Sequence, residues 1–557
     1  MPLSLLLALG IVLPALIAAQ AHAFDIPRND DWAYRRVLEG FVQTGRISFV
    51  GWGAMTLVGQ ILWAAPFVWL IGGAAWVPGF AVAVLAAIGL AAACLLARCV
   101  TGPGRAAATC FLLVALPGFA LSTSSFMTDV PAFAAAVACL YCGARAAQSS
   151  AGNQRWAWFV ASLLVGVFSF SIREFDLAAP FAVLVGMAWR DRAHLRWYAV
   201  AGMSLLAACG GIYAWVGQLP GVQSKSFGLP TTTSLSTLLS AFFTLSFFVS
   251  PFLPSAITKA LGRPRAGAVG AGALCLGGGV WLLLAHHPVL VGNYLTTSGP
   301  MGPQVLTGYR PLLFSKPVWD LFEGIALAAG VGLAFVAFSR PGGGARLRGA
   351  AAPELIVRAF VAFTSLGFLL YVLFVKAAFF DRYLWALAFA LPLLLRPGPW
   401  SGEEAAGRAR HRAGDQARHG GRLAPARALA AVLAFMICAI GVVTALNGDA
   451  YDGARWTAGV DAVRAGFNPK DVDAGFEWVG SHQAVTAVLD HRDTTFPAYE
   501  TWYGEMFPGF TECALVSGST LQGGAFVLLK MVSYKQLLFG RTEPLYIYEV
   551  KTAGCRP

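Results

Sequence analysis

Charge is scarce in this chain. Of its 557 residues only 12% are Asp, Glu, Lys or Arg, while 57% are hydrophobic. An ordinary soluble protein carries about 25% charged residues. Mean hydropathy is +0.64, and the apolar residues run in long blocks rather than amphipathic stripes. Too little polar surface remains to coat a water-soluble enzyme of this size, so the chain reads as an integral membrane protein. A disulfide framework is also missing. Eight of the ten cysteines (Cys94, Cys99, Cys110, Cys139, Cys142, Cys209, Cys275, Cys438) lie in or beside apolar blocks, where a thiol is a small hydrophobe. Cys139 and Cys142 form a C-x-x-C, but inside an expected membrane helix, which disfavours a redox or zinc role. The sequence has no Walker motif, Rossmann fingerprint, H-E-x-x-H or G-x-S-x-G. It also lacks an internal repeat, which weakens a secondary-transporter reading.

Positive charge is in excess, with 40 Lys and Arg against 28 Asp and Glu, a formal +12. Nucleic-acid binding is disfavoured, because the excess sits in short loops between apolar blocks, as the positive-inside rule requires. Lysine is rare beside arginine, which suggests a GC-rich bacterial genome.

The first apolar run, Leu3 to Ala21, ends in Ala21-His22-Ala23, similar to a signal-peptidase site. It has no basic n-region and acidic residues follow at once, so it reads as an uncleaved first helix. Residues 22–52 form the first loop. Within it Val37, Leu38, Phe41 and Val42 recur at helical spacing and predict an interfacial amphipathic helix over Asp31–Thr44. Apolar blocks follow at 53–73, 78–98, 106–122, 130–147, 156–171, 175–190, 197–217, 233–254, 266–286, 317–338, 355–376, 382–396 and 428–446. Arginines mark alternate connections, at Arg98/Arg105, Arg145/Arg155, Arg190–Arg196, Lys259–Arg265, Arg340–Arg348 and Arg408–Arg427. These are assigned to the cytoplasm. The connections near Asp129, Arg173–Asp176, 218–232, 287–316 and 377–381 then face outward. Asp30 and Asp129 share that face only if block 53–73 or 106–122 fails to cross, so about 13 spans are expected in residues 1–446, within a bacterial plasma membrane. The Gly/Arg-rich segment 397–427 is expected to be a flexible cytoplasmic loop.

The tail, 447–557, is richer in Asp, Glu, Gly and Tyr. Alternating runs at Ala484–Leu489, Phe526–Leu529 and Leu545–Val550 predict a small extracytoplasmic α/β domain. Cys513 and Cys555 are its two cysteines, free to pair if it lies outside the cytoplasm.

The chemistry is expected on the outward face. Asp30 and Asp31 follow the first helix. A carboxylate at a membrane interface is partly desolvated and suits a general base, whereas capping of the amphipathic helix is the alternative. Asp129 stands at a helix start, where N-capping alone also accounts for it. Arg173-Glu174-Phe175-Asp176 puts three charges between short apolar blocks, at about 2.5–3.5 kcal/mol each unless paired or lining a polar cavity. A self-paired Arg173–Glu174 competes there with an Arg that grips a lipid-borne phosphate. Lys376 and Asp381-Arg382-Tyr383 end the series, with snorkelling as the alternative for the basic residues. The loop 287–316, following His286 and carrying His287, Tyr294, Tyr309 and Arg310, is glycine-rich enough to move over a substrate.

The order of these motifs resembles the GT-C membrane glycosyltransferases, and within them the branch of protein mannosyltransferases and the lipid A aminoarabinose transferase. Asp30-Asp31-Trp32-Ala33-Tyr34 is similar to that family's D-E-x-x-Y opening, with Asp31 in place of Glu. Thr128-Asp129-Val130-Pro131 resembles its second acidic motif. Arg173-Glu174 falls where it often has a basic-acidic pair, and Arg382-Tyr383-Leu384 with Pro392 resembles its late R-Y-L…P helix. Gln60, Trp63 and Pro66 match its P-P-L-x-Y-like element poorly. The resemblance implies transfer of a sugar, with inversion, from a polyprenyl-phosphate donor to an extracytoplasmic protein, lipid or polysaccharide. Asp30 and Asp31 are the implied catalytic pair. Asp129, Tyr34 and Glu174 would position donor or acceptor; Arg173, Arg382 and Lys376 would bind phosphate. Some distant relatives hold a divalent metal ion with several carboxylates while the closer branch need not, so the resemblance leaves metal dependence open. The competing class is a transporter or flippase of lipid-linked saccharides.

Overall fold

A computed structural model describes residues 2–53, 55–223, 225–262, 265–301, 306–308, 311–339, 351–395, 416–483, 507, 510–551 and 555. It is a bundle of helices with a small sheet at its C-terminal end. Among the described residues ten helices are long and apolar enough to cross a membrane, from Leu3–Gln20 to Ala424–Arg464. Their outer faces carry large apolar side chains such as Leu70, Leu274, Leu284 and Phe435, all largely exposed, as a lipid solvent requires.

The expected count of about 13 spans differs from these ten for a reason of length. Blocks 53–73 and 106–122 form helices Val58–Ile71 and Pro103–Val114, of 14 and 12 residues. At 1.5 Å per residue these reach only ~20 Å, short of a core of about 30 Å. Ala178–Arg190 and Trp385–Leu394 are shorter than a span for the same reason. Close helix approach rests on small residues. A Cβ on Gly89 would overlap the Ala134 Cβ, so Val77–Val100 meets Asp129–Gln148 almost backbone to backbone.

The predicted amphipathic helix is present as Asp31–Thr44. It buries Trp32, Tyr34, Val37 and Leu38, leaves Glu39, Gln43 and Thr44 exposed, and ends at Gly45 with φ 69°, where a side chain would be strained. The loop expected over 397–427 is shorter at its C-terminal side. A 49-residue helix, Gln416–Arg464, starts inside it and continues through the 446/447 division into the tail. The arginines 340–348, those from 408 to 412 and the run 484–489 lie outside the described residues.

In the tail, strands β1 (Val472–Asp473), β2 (Ala514–Ser517), β3 (Phe526–Lys535) and β4 (Thr542–Val550) form a sheet of order β1-β2-β4-β3, with β1–β2 parallel and the other pairs antiparallel. The runs at Phe526 and Leu545 are thus the hairpin strands. Cys513 and Cys555 are joined by a disulfide.

Candidate active site

The N-terminal end of helix Asp31–Thr44 faces a cavity of about 450 Å³, walled by Asp30, Tyr34, Arg173, Glu174, Lys225 and Arg382 among others. Segments separated by hundreds of residues therefore converge at one edge of the bundle.

The two adjacent aspartates have opposite surroundings. Asp30 occupies the N-cap position, yet its carboxylate caps nothing. Oδ1 accepts the Trp52 indole N–H at 2.8 Å, and Oδ2 lies 3.4 Å from Arg382 Nη2. Its side chain is 16% exposed, towards the cavity. Asp31 is fully buried and paired with Arg35 one turn on; its Oδ2 also accepts the backbone N–H of Phe126 at 2.9 Å. Asp31 thus ties the amphipathic helix to the segment before Asp129, outside the cavity wall.

Asp129 begins helix Asp129–Gln148 and sits behind the cavity, joining two arginines. Its Oδ1 accepts Arg173 Nη1 at 2.7 Å and lies 3.3 Å from Arg382 Nε. Arg173 Nε also donates to Thr128 Oγ1 at 2.9 Å, and its guanidinium stands 4.6 Å over the Tyr383 ring. Arg382 Nη1 donates to Asn293 at 2.8 Å, with the guanidinium 4.7 Å over the Phe380 ring. Both arginines are nearly inaccessible at the side-chain level, and carboxylate plus ring faces fix their planes. N-capping does not account for Asp129, and self-pairing does not account for Arg173.

Glu174 pairs instead with Lys225. Burial, with the Arg173 charge close by, lowers the Lys225 ammonium to about 8. The Tyr34 hydroxyl lies in the wall with no hydrogen-bond partner among the described residues. Burial, and then the Asp30 charge, hold this phenol protonated well above its usual range, so it can only donate or accept as a neutral group. Tyr294 also reaches the wall. It lies on Trp385 at 6.3 Å and bonds Ser122 at 3.3 Å. Gly118, φ 79°, is required beneath it, because a Cβ there would fall inside the ring's contact radius.

Lys376 is exposed and does not line this cavity, though Ala377 and Ala378 beside it do; its stem lies over Gly228. His286 is exposed and His287 packs on Trp281 at 5.4 Å; Tyr309 and Arg310 lie outside the described residues. Among the described residues no group of three or more His, Cys, Asp or Glu is placed to hold a metal ion.

Sequence reasoning missed Lys225, Trp52, Asn293 and the contribution of the tail. Lys225 had a signal, as the single basic residue in the connection 218–232 of a lysine-poor chain. The tail had none. Glu477 Oε1 accepts the backbone N–H of Asn29 at 2.8 Å, and Asp449 pairs with buried Arg28, which also donates to Ser124. Arg36 donates to the Ser481 carbonyl at 2.7 Å. Burial raises Glu477 above the usual carboxylate range, opposed by the Arg455 charge 2.9 Å away.

No family model matches the chain, and no curated protein matches it. Among solved structures it is similar to ArnT from Cupriavidus metallidurans bound to undecaprenyl phosphate, at 13% identity and TM-score 0.42 over 97% of this chain and 99% of that one. It is also similar to the Archaeoglobus fulgidus oligosaccharyltransferase in complex with Zn and sulfate, at 13% identity and TM-score 0.32 over 90% and 61%. The same archaeal enzyme with an inhibitory peptide and a dolichol-phosphate gives 12%, 0.32, 92% and 63%. ArnT and the archaeal enzyme both belong to the GT-C fold class.

Proposed function

We propose that the chain transfers a sugar from a polyprenyl-phosphate-linked donor to an acceptor arriving on the tail's side of the membrane, with inversion at the anomeric carbon. One observation carries this reading: a partly exposed carboxylate, Asp30, and a cationic wall of Arg173, Arg382 and Lys225 share one cavity at the edge of a membrane bundle. The acceptor hydroxyl gives its proton to Asp30 as its oxygen bonds the anomeric carbon. The bond from that carbon to the phosphate oxygen breaks, and the lipid phosphate departs with its charge met by the cations. The Arg382–Asp30 contact of 3.4 Å is long. A phosphate oxygen competes for Nη2, leaving Asp30 held by Trp52 and free to accept the proton. The unpartnered Tyr34 hydroxyl supplies a neutral donor at the same wall.

The test is sugar transfer by purified protein in vesicles with a synthetic polyprenyl-phosphate sugar. Asp30→Asn should lower the rate by about 10²–10⁴-fold at unchanged folding, whereas Asp31→Asn should mainly weaken the fold. Wild-type transfer by Asp30→Asn removes Asp30 as base. Movement of donor across the bilayer with no new glycoside favours the transporter reading.

A further inference from the structure

The hairpin β3–β4 ends in three consecutive apolar residues, Leu537, Leu538 and Phe539, which are 40%, 69% and 42% exposed. Leu538 adopts φ 74°, a conformation that a branched side chain disfavours. The turn thus holds this side chain outward in a strained position, with no core among the described residues to reward it. Lys535 and Arg541 flank the tip, both exposed.

The hairpin's depth can be read from the terminal helix beside it. That helix's apolar stretch, 428–446, spans ~28 Å at 1.5 Å per residue, close to a hydrocarbon core of about 30 Å. Asn447 is the first polar side chain past it, and its amide donates to the Leu537 carbonyl at 3.2 Å. Further out, Tyr451 meets the Tyr534 ring at 5.9 Å, and Asp461 meets Lys530 at 2.6 Å. From 447 to 461 the helix rises ~21 Å, and from 537 to 530 an extended chain covers ~23 Å. The two elements run antiparallel in step, so the hairpin points back towards the bilayer and its tip is level with the end of the apolar stretch.

We propose that Leu537–Phe539 dips into the membrane interface and docks the tail on the lipid surface, with Lys535 and Arg541 meeting headgroup phosphates. The apolar turn continues the lipid-facing belt of the bundle, and its basic flanks suit an anionic bilayer. The occupant is the membrane in which the chain already sits.

The experiment uses full-length protein in vesicles of phosphatidylcholine and phosphatidylglycerol. A spin label is placed by Leu538→Cys or, as the control at the far end of the hairpin, Gln522→Cys, and the wild type gives the background from native thiols. The Leu538 label is expected to be about fivefold less accessible to an aqueous nickel relaxer than the Gln522 label, and more accessible to oxygen dissolved in lipid. Adding Lys535→Glu and Arg541→Glu should make the Leu538 label shallower. Equal nickel accessibility at both sites overturns the proposal. So does protection from both relaxers with dipolar broadening between labels, which would place a second copy of the chain on the tip.

Discussion

Arg382 sits between two carboxylates in a nearly dry setting, and its removal tests whether the Asp129 cluster holds together by charge balance. Arg382 Nε is 3.3 Å from Asp129 and Nη2 is 3.4 Å from Asp30. At an effective dielectric of about 20, a pair at that separation attracts by about 5 kcal/mol. Desolvation of the guanidinium offsets much of this, and Asp129 keeps Arg173 at 2.7 Å, so Arg382→Gln should cost about 2–3 kcal/mol. Asp129→Asn leaves two buried cations facing one another and should cost about 3–5 kcal/mol. The double variant returns the cluster to balance, Asp30 against Arg173. Its cost should fall short of the sum of the two single costs by about 2 kcal/mol. Reversible denaturant unfolding in detergent, followed by tryptophan fluorescence, measures all three. Simple additivity would refute the charge-balance argument. Transfer activity should stay low in the double variant, since restoring balance does not restore the phosphate ligand proposed for Arg382.

Three further outcomes are expected. The Lys225 ammonium at about 8 loses its charge as pH rises through that value, so KM for the donor should climb above pH 8; Lys225→Arg should flatten the climb, and a flat wild-type profile would count against Lys225 as a phosphate ligand. Glu477→Ala frees the Asn29 backbone and should lower kcat by about tenfold with little change in KM, while Glu477→Gln keeps the acceptor and should recover most of it. The Cys513–Cys555 bridge closes a sequence separation of 42 residues, worth about 4 kcal/mol by chain entropy; Cys513→Ala with Cys555→Ala should speed hydrogen exchange in β2 and β4 and leave the bundle helices unchanged.

The helical bundle was legible because a membrane core imposes both a length and a composition on every segment that crosses it. Part of the candidate site was legible for the same reason. In such a background Asp30, Arg173 and Arg382 stand out as expensive charges, and the structure brings them to one cavity. The division of labour within Asp30-Asp31 was not legible. Adjacent helix residues point about 100° apart, and only the positions of Trp52, Arg35 and Phe126, distant in sequence or set by the helix turn, separate an exposed carboxylate from a buried one. Lys376 stands where snorkelling was the alternative, and its side chain is exposed. The start of the terminal helix was misjudged because Gly420, Gly421 and Pro425 oppose helix locally, while the apolar stretch after them continues it.

The contacts between the segment 28–36 and the tail span sequence separations of 421, 448 and 445 residues. Synthesis runs from the N-terminus, so Arg28, Asn29 and Arg36 leave the ribosome long before Asp449, Glu477 and Ser481 exist. Until then Arg28 lacks its Asp449 partner, the Asn29 backbone lacks its Glu477 acceptor, and the cavity lacks the part of its wall that Asp452, Phe476 and Glu477 supply. The cavity is therefore completed only after the tail has been made. A chain that stalls late inserts most of its helices and still has an incomplete cavity beside Asp30.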